Sequence, residues 1–189
     1  MKKLLITFCM AIFLLTGCSL SIGNTPRQPE SSAQVANFGM TFEQFKAAYN
    51  AMITENFPST GWDISSVTLE SAKDKDVFIY KFDDNVGLMG ATDKNSGMVK
   101  EVLVVLVPKT QNEMGKALLA YVTLMLTLSP ELTVEQRGEL IKELKLVGED
   151  VTDLLNQNDG VAVRGNVIYR TKFIKERGVL HFIASAKEE

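Results

Sequence analysis

Val99-Lys100-Glu101-Val102-Leu103-Val104-Val105-Leu106-Val107 is the stretch on which the fold turns. Its opening mixes apolar and charged residues, and from Val102 onward it is apolar without a break. Valine dominates it, a β-branched residue whose stiff side chain suits a pleated backbone. A strand with one wet face alternates apolar and polar positions. An unbroken run instead predicts a strand buried on both faces, central in its sheet. Upstream, Asp93-Lys94-Asn95-Ser96-Gly97 reads as a hairpin connection to a weaker, glycine-broken strand over residues 86–92. Before that, Phe78, Tyr80 and Phe82 alternate with more polar neighbours, and Lys73-Asp74-Lys75-Asp76 forms a turn. Residues 62–71 are β-rich and make the first strand of this meander.

Helices frame the meander on either side. Thr41 followed by Gln44 fits a capping box, in which side chains satisfy the orphan backbone donors of a helix start. Phe42, Phe45, Tyr49, Met52 and Ile53 then recur at helical spacing, and Pro58 and Gly61 close that helix. Residues 112–128 are the most hydrophobic segment after the N-terminus, and Ala117-Leu118-Leu119-Ala120-Tyr121-Val122 opens its apolar part. A span of ~20 apolar residues would be needed to cross a bilayer, so this is read as a helix buried nearly all round. Thr133 with Gln136 makes a second capping box. The amphipathic helix behind it carries Val134, Leu140, Ile141, Leu144 and Val147, with Gly148 at its expected C-terminal stop. A short helical turn over residues 150–156 and a turn at Asn158-Asp159-Gly160 lead into strands 161–164, 167–174 and 179–185, the last two joined by Lys175-Glu176-Arg177-Gly178.

Strands that follow one another through short turns pair antiparallel, so the class is α+β. The expected architecture is two-layered, with antiparallel meanders packed on three main helices in the order α-ββββ-αα-βββ. It forms one domain over residues 41–189. Each meander follows a helix, which raises a duplicated half-domain as a conjecture, although no residue-level repeat accompanies it.

The N-terminus has a separate logic. Lys2 and Lys3 precede an apolar run over residues 4–15, too short to span a membrane and shaped like the core of a secretory signal. It ends in Leu15-Thr16-Gly17-Cys18. These four residues resemble the lipobox of bacterial lipoproteins, Leu-(Ala/Ser/Thr)-(Gly/Ala)-Cys, at every position. The resemblance covers the export signal alone. It implies removal of residues 1–17, diacylglycerol on the Cys18 thiol, and Cys18 as the new N-terminus. Fatty acyl chains contribute ~0.8 kcal/mol per buried CH₂, so two or three of them anchor firmly. Ser19 is similar to the residue that directs such proteins to the outer membrane in Gram-negative cells. Residues 18–40, rich in small polar residues with prolines at 26 and 29, read as a flexible tether.

Composition excludes several function classes. Loss of Lys2 and Lys3 takes the 20 basic residues to 18, against 23 acidic ones, for a formal net charge of −5. Such a chain has little attraction for nucleic acid or anionic headgroups. Cys9 and Cys18 are the two cysteines, so the domain beyond residue 18 offers no disulfide, no Cys-ligated metal and no thiol nucleophile.

Motifs for chemistry are equally sparse. His181, the single histidine, sits in a terminal strand with Val179 and Ile183 on its face and reads as structural. Asp93-Lys94-Asn95-Ser96-Gly97 has glycine fifth rather than sixth and Val104 at position twelve, unlike an EF-hand, and reads as a turn. Asp74, Asp76, Asp83 and Asp84 read as solvated turn charges. Gly115-Lys116 lacks the upstream glycine of a phosphate loop, and no Gly-x-Ser-x-Gly, Ser-x-x-Lys or His-Glu-x-x-His occurs. Arg164, Tyr169, Lys172, Phe173 and Lys175 form a small basic-aromatic cluster that an alternating strand accounts for. Trp62, on a loop after Pro58, Ser59, Thr60 and Gly61, is either a binding anchor or a cap on the core, and its loop or an edge strand is the candidate binding surface.

The expectation is a lipid-anchored envelope lipoprotein with a non-catalytic protein-binding domain. It needs no metal or cofactor, and its partners are the membrane, through Cys18, and an envelope protein, not nucleic acid. Two alternatives differ in class. One is a carrier of a lipid or other apolar ligand between helix 112–128 and the sheet. The other is an envelope-polymer hydrolase with paired carboxylates.

Overall fold

The computed structural model describes residues 36–67, 69–107, 111–148, 154–156 and 159–188. Cys18, the export signal, nearly all of the tether and most of the turn at 150–156 lie outside the described residues. Among the described residues three helices and seven strands follow in the order α1 (Phe42–Asn56), β1 (Leu69–Ser71), β2 (Lys75–Lys81), β3 (Val86–Asp93), β4 (Val99–Leu106), α2 (Gln111–Leu128), α3 (Val134–Glu143), β5 (Gly160–Arg164), β6 (Val167–Ile174) and β7 (Val179–Ala186). The class is α+β, in the expected element order. The strands form one sheet, β1-β2-β3-β4-β7-β6-β5, in which every neighbouring pair is antiparallel. β4, the stretch quoted at the outset, is the middle strand. It joins the two meanders through its pairing with β7.

Register explains the core. Phe78, Gly90, Val102, Ala184, Tyr169 and Ala162 stand in one row across six strands. Every side chain in that row is buried. α1 and α2 cover this inner face, where Phe42 meets Phe78 with ring centroids 4.6 Å apart and Tyr121 stacks on Phe182 at 4.7 Å. Gly90 makes the row possible. A Cβ there would overlap the Phe78 ring and stand 2.8 Å from the Glu101 carbonyl oxygen. The glycine that weakened the β3 reading is the seat of an aromatic ring.

Both capping boxes form. The Gln44 side chain accepts from the Thr41 backbone N–H at 2.8 Å, and Gln136 does the same for Thr133 at 2.9 Å. The folded part reaches back before Thr41, since the Phe38 N–H donates to the Val99 carbonyl at 2.8 Å and the Val99 N–H to that of Met40 at 2.9 Å. Residues from Gln34 to Glu189 form one compact unit.

Three expectations shift. The strand read over residues 62–71 shrinks to Leu69–Ser71. Trp62 and Ile64 are drawn into the core instead, and Asn50 of α1 clamps the chain there. Its Oδ1 accepts from the Ile64 N–H at 2.7 Å and its Nδ2 donates to the Ile64 carbonyl at 2.9 Å, replacing ladder bonds. α3 stops at Glu143 rather than near Gly148, and Lys145 takes the left-handed conformation at φ 57°. Tertiary contact decides that stop. The Thr171 hydroxyl donates to the Leu144 carbonyl at 2.6 Å, and Gly160 lies so close that a Cβ would stand 2.6 Å from the same oxygen. Val134, counted in the apolar stripe of α3, is 77% exposed, while Leu140 and Leu144 are buried.

Candidate functional site: the outer face of the sheet

Alternation in β4 separates two faces. Val102, Val104 and Leu106 point into the core and are fully buried, so Glu101, Leu103 and Val105 point the other way. Leu103 pairs with Met89 of β3 and Ile183 of β7, and Met89 pairs with Ile79 of β2. An apolar stripe therefore runs across four adjacent strands on the face opposite the helices. Arg170 and Val161 extend the same row over β6 and β5. The row on one side begins Val77–Ala91–Glu101 and continues Ser185–Ile168–Val163; the row on the other holds Gly87, Val105, His181 and Lys172.

This face is not dry. Ile79 is 49% exposed and Val161 53%, and Leu103, Met89 and Ile183 are half-buried among their own neighbours. A sheet open to water on one side normally turns polar residues outward there. Contiguous exposed apolar surface of this kind is uncommon on a solvated sheet face. The unbroken run in β4, read as burial on both faces, is corrected accordingly. Its inner side is core, and its outer side is apolar yet only partly covered.

Charges frame the stripe. The Arg170 guanidinium donates to the Ser185 hydroxyl at 3.1 Å, and Lys172 lies 3.6 Å from Asp159 at the β5 edge. His181 falls between Val105 and Lys172. Partial burial lowers its pKa below 6.5, and the positive charges of Arg177 and Lys172 lower it further, so the imidazole is neutral at pH 7. It contributes a flat, weakly polar patch beside the stripe.

The residues singled out from sequence fall elsewhere. Trp62 is 7% exposed and stacks on Phe82 with centroids 5.4 Å apart. It takes the place of a core cap beneath α1 rather than a surface anchor, because burying an indole outweighs leaving it on a loop. The Asp93 carboxylate accepts from the backbone N–H groups of Asn95 and Ser96 and from the Ser96 hydroxyl, at 3.1, 2.8 and 2.9 Å. Those bonds, led by the Ser96 N–H, hold its pKa below the ordinary value. Asp83 likewise accepts from the N–H groups of Asn85 and Val86, at 2.7 and 2.8 Å. Among the described residues no group of three or more His, Cys, Asp or Glu side chains is placed to hold a metal ion. The basic-aromatic cluster splits by alternation. Tyr169 and Phe173 belong to the inner face, Lys172 points outward, and Arg164 forms a bidentate pair with Glu143 of α3 at 2.6 and 3.2 Å.

Aromatic rings occupy the space between α2 and the sheet. Tyr121 lies between Phe182, at 4.7 Å, and Tyr169, edge-on at 6.3 Å. The Tyr169 hydroxyl bonds Ser129 at 2.8 Å, and burial pushes its pKa up to about 12. The Tyr121 hydroxyl is buried without a hydrogen-bond partner, and its pKa is raised well above the usual tyrosine value by desolvation. Among the described residues no helix is long and apolar enough to cross a membrane. No family model, curated protein or solved structure matches this chain.

Sequence reasoning passed over the outer face because it counted Ile79 among the more polar neighbours of Phe78 and Tyr80 and took both faces of β4 as core. The signal was present. From Val102 onward both alternation classes of β4 are apolar, and Ile79, Met89 and Ile183 break the expected outward polarity at matching register.

Proposed function

We propose that this chain is a lipid-anchored lipoprotein of the bacterial cell envelope whose domain binds protein, without catalysis, through the outer face of its sheet. The observation that carries the binding role is the stripe Ile79–Met89–Leu103–Ile183, apolar where a solvated sheet face would be polar. Support for the anchor comes from Leu15-Thr16-Gly17-Cys18. A β surface with an apolar centre over β2, β3, β4 and β7, and with Arg170 and Lys172 beside it on β6, suits a folded protein partner, since interface centres are depleted of charge. The carrier alternative has less behind it, because Tyr121, Phe182 and Tyr169 fill the space it would use.

Two measurements test the proposal. Metabolic labelling with an alkyne fatty acid should tag the chain, and Cys18→Ser should abolish the tag; a labelled Cys18→Ser protein refutes the anchor. A photo-crosslinking residue at Leu103 should capture protein in intact envelopes, whereas the same residue at the exposed Glu139 of α3 should not. Equal capture from both positions, or none from Leu103, refutes the binding face.

A further inference from the structure

We infer that the occupant of the outer face is a second copy of this chain, packed sheet against sheet about a two-fold axis along the β4–β7 seam. The inference rests on the binding face proposed above and names its partner. Strand order supplies the symmetry. The three-residue edge strand β1 lies outside the pairing, and the other six strands lie three to each side of the seam, β2-β3-β4 and β7-β6-β5. A two-fold axis parallel to the strands therefore lays β4 on the partner's β7, β3 on its β6 and β2 on its β5, with rows preserved.

The residues then match without any shift in register. Leu103 meets the partner's Ile183, Ile79 the partner's Val161 and Val77 the partner's Val163, while Met89 lies against the stem of the partner's Arg170 and Val105 against the partner's His181. Bulk is complementary too, since the Lys172 stem falls over the partner's Gly87 and Ile168 over its Ala91. Charge agrees with shape. Glu101, the carboxylate within these rows, comes over the partner's Ser185, to which the Arg170 guanidinium is bonded. Lys81 at one edge faces the partner's Asp159 at the other.

Area is sufficient for association. Six strands at ~4.8 Å spacing and about six residues of ~3.3 Å along each give ~600 Å² per copy. The ~1,200 Å² buried by the pair clears the ~1,000 Å² that a specific interface needs, at the weak end of the range. The product is a two-layered β-sandwich with its sheets ~10 Å apart. Isologous pairing of this type closes at two copies.

The test uses the unit from Gln34 to Glu189, which holds every residue of the core from Phe42 to Ala184, in analytical ultracentrifugation across roughly 1–200 µM, a range that covers the weak association of small interfaces. A reversible monomer–dimer equilibrium is expected. Leu103→Glu should weaken it at least ~30-fold, because each dimer would then bury two unpaired carboxylates. Val161→Glu, at a position already half in water, should also weaken it and keeps the test valid if Leu103→Glu fails to fold, as judged by circular dichroism. A wild-type unit that stays monomeric throughout overturns the inference, and so does a dimer that both variants leave intact. If the monomer still gives Leu103 crosslinks to a different protein, the binding face stands and only the self-pairing falls. Flotation of the unlipidated unit with vesicles of phosphatidylethanolamine and phosphatidylglycerol, abolished by Leu103→Glu, would assign the face to lipid and overturn both.

Discussion

Gly90→Ala is the sharpest probe of how the sheet and α1 are held together. The added methyl overlaps the Phe78 ring and stands 2.8 Å from the Glu101 carbonyl. Backbone cannot retreat easily in a strand paired on both sides, so the ring has to move, and Phe78 is itself fully buried against Phe42 and Phe45. Overpacking of this kind costs ~1–3 kcal/mol. We place Gly90→Ala at the upper end, ~3 kcal/mol, because two rigid neighbours are met at once. Phe78→Ala alone should cost ~3–5 kcal/mol through the cavity it leaves. Combined, the two changes should fall short of additivity by ~2 kcal/mol, since the methyl then enters space the ring has vacated. Urea unfolding of the four proteins closes the cycle. Additivity within ~0.5 kcal/mol would refute the claim that Gly90 serves the Phe78 ring.

Other expected outcomes follow from single contacts. Asn50→Leu removes both bonds to the Ile64 backbone and leaves a buried N–H and carbonyl unpaired, so it should destabilise by ~2–3 kcal/mol in denaturant melts, and protease should cut first near residues 62–67. Tyr121→Phe deletes a buried hydroxyl that has no partner, and its denaturation midpoint should equal or exceed that of the parent; a loss above ~1 kcal/mol would show that the hydroxyl is bonded. His181 has a folded pKa below its unfolded 6.5, so the unfolded chain binds more protons as pH falls through that region. Stability should therefore decline from pH 7 to pH 5, and His181→Asn should flatten that slope, as thermal melts at several pH values would record.

Much of the fold was legible because its signals are local. Capping needs only Thr41 with Gln44 and Thr133 with Gln136, and both boxes form as spaced. Strands β6 and β7 are bounded by turns whose residues accept positive φ, Gly165 and Gly178. Where the reading failed, a distant residue had overridden local preference. Residues 62–67 have the composition of a strand, yet Asn50 supplies the hydrogen bonds a neighbour strand would have made. Gly148 is a sound helix stop by propensity, but Thr171 and Gly160 halt α3 earlier by engaging the Leu144 carbonyl region. Trp62 was open between anchor and cap, and only its stacking on Phe82 distinguishes the two.

Sequence by itself determined the class of this protein, the order of its elements and the central place of Val99–Leu106, because hydrophobic period, turn chemistry and capping act over a few residues. It also carries Leu15-Thr16-Gly17-Cys18, four consecutive residues whose resemblance to a lipobox is legible without any fold. Tertiary structure decided which of the apolar positions are core. Val102 and Leu103 look alike along the chain, but the pleat turns one toward α2 and the other toward water. Which face the helices cover depends on connections between elements far apart in the chain. The outer stripe emerges only when register sets Ile79, Met89, Leu103 and Ile183 side by side.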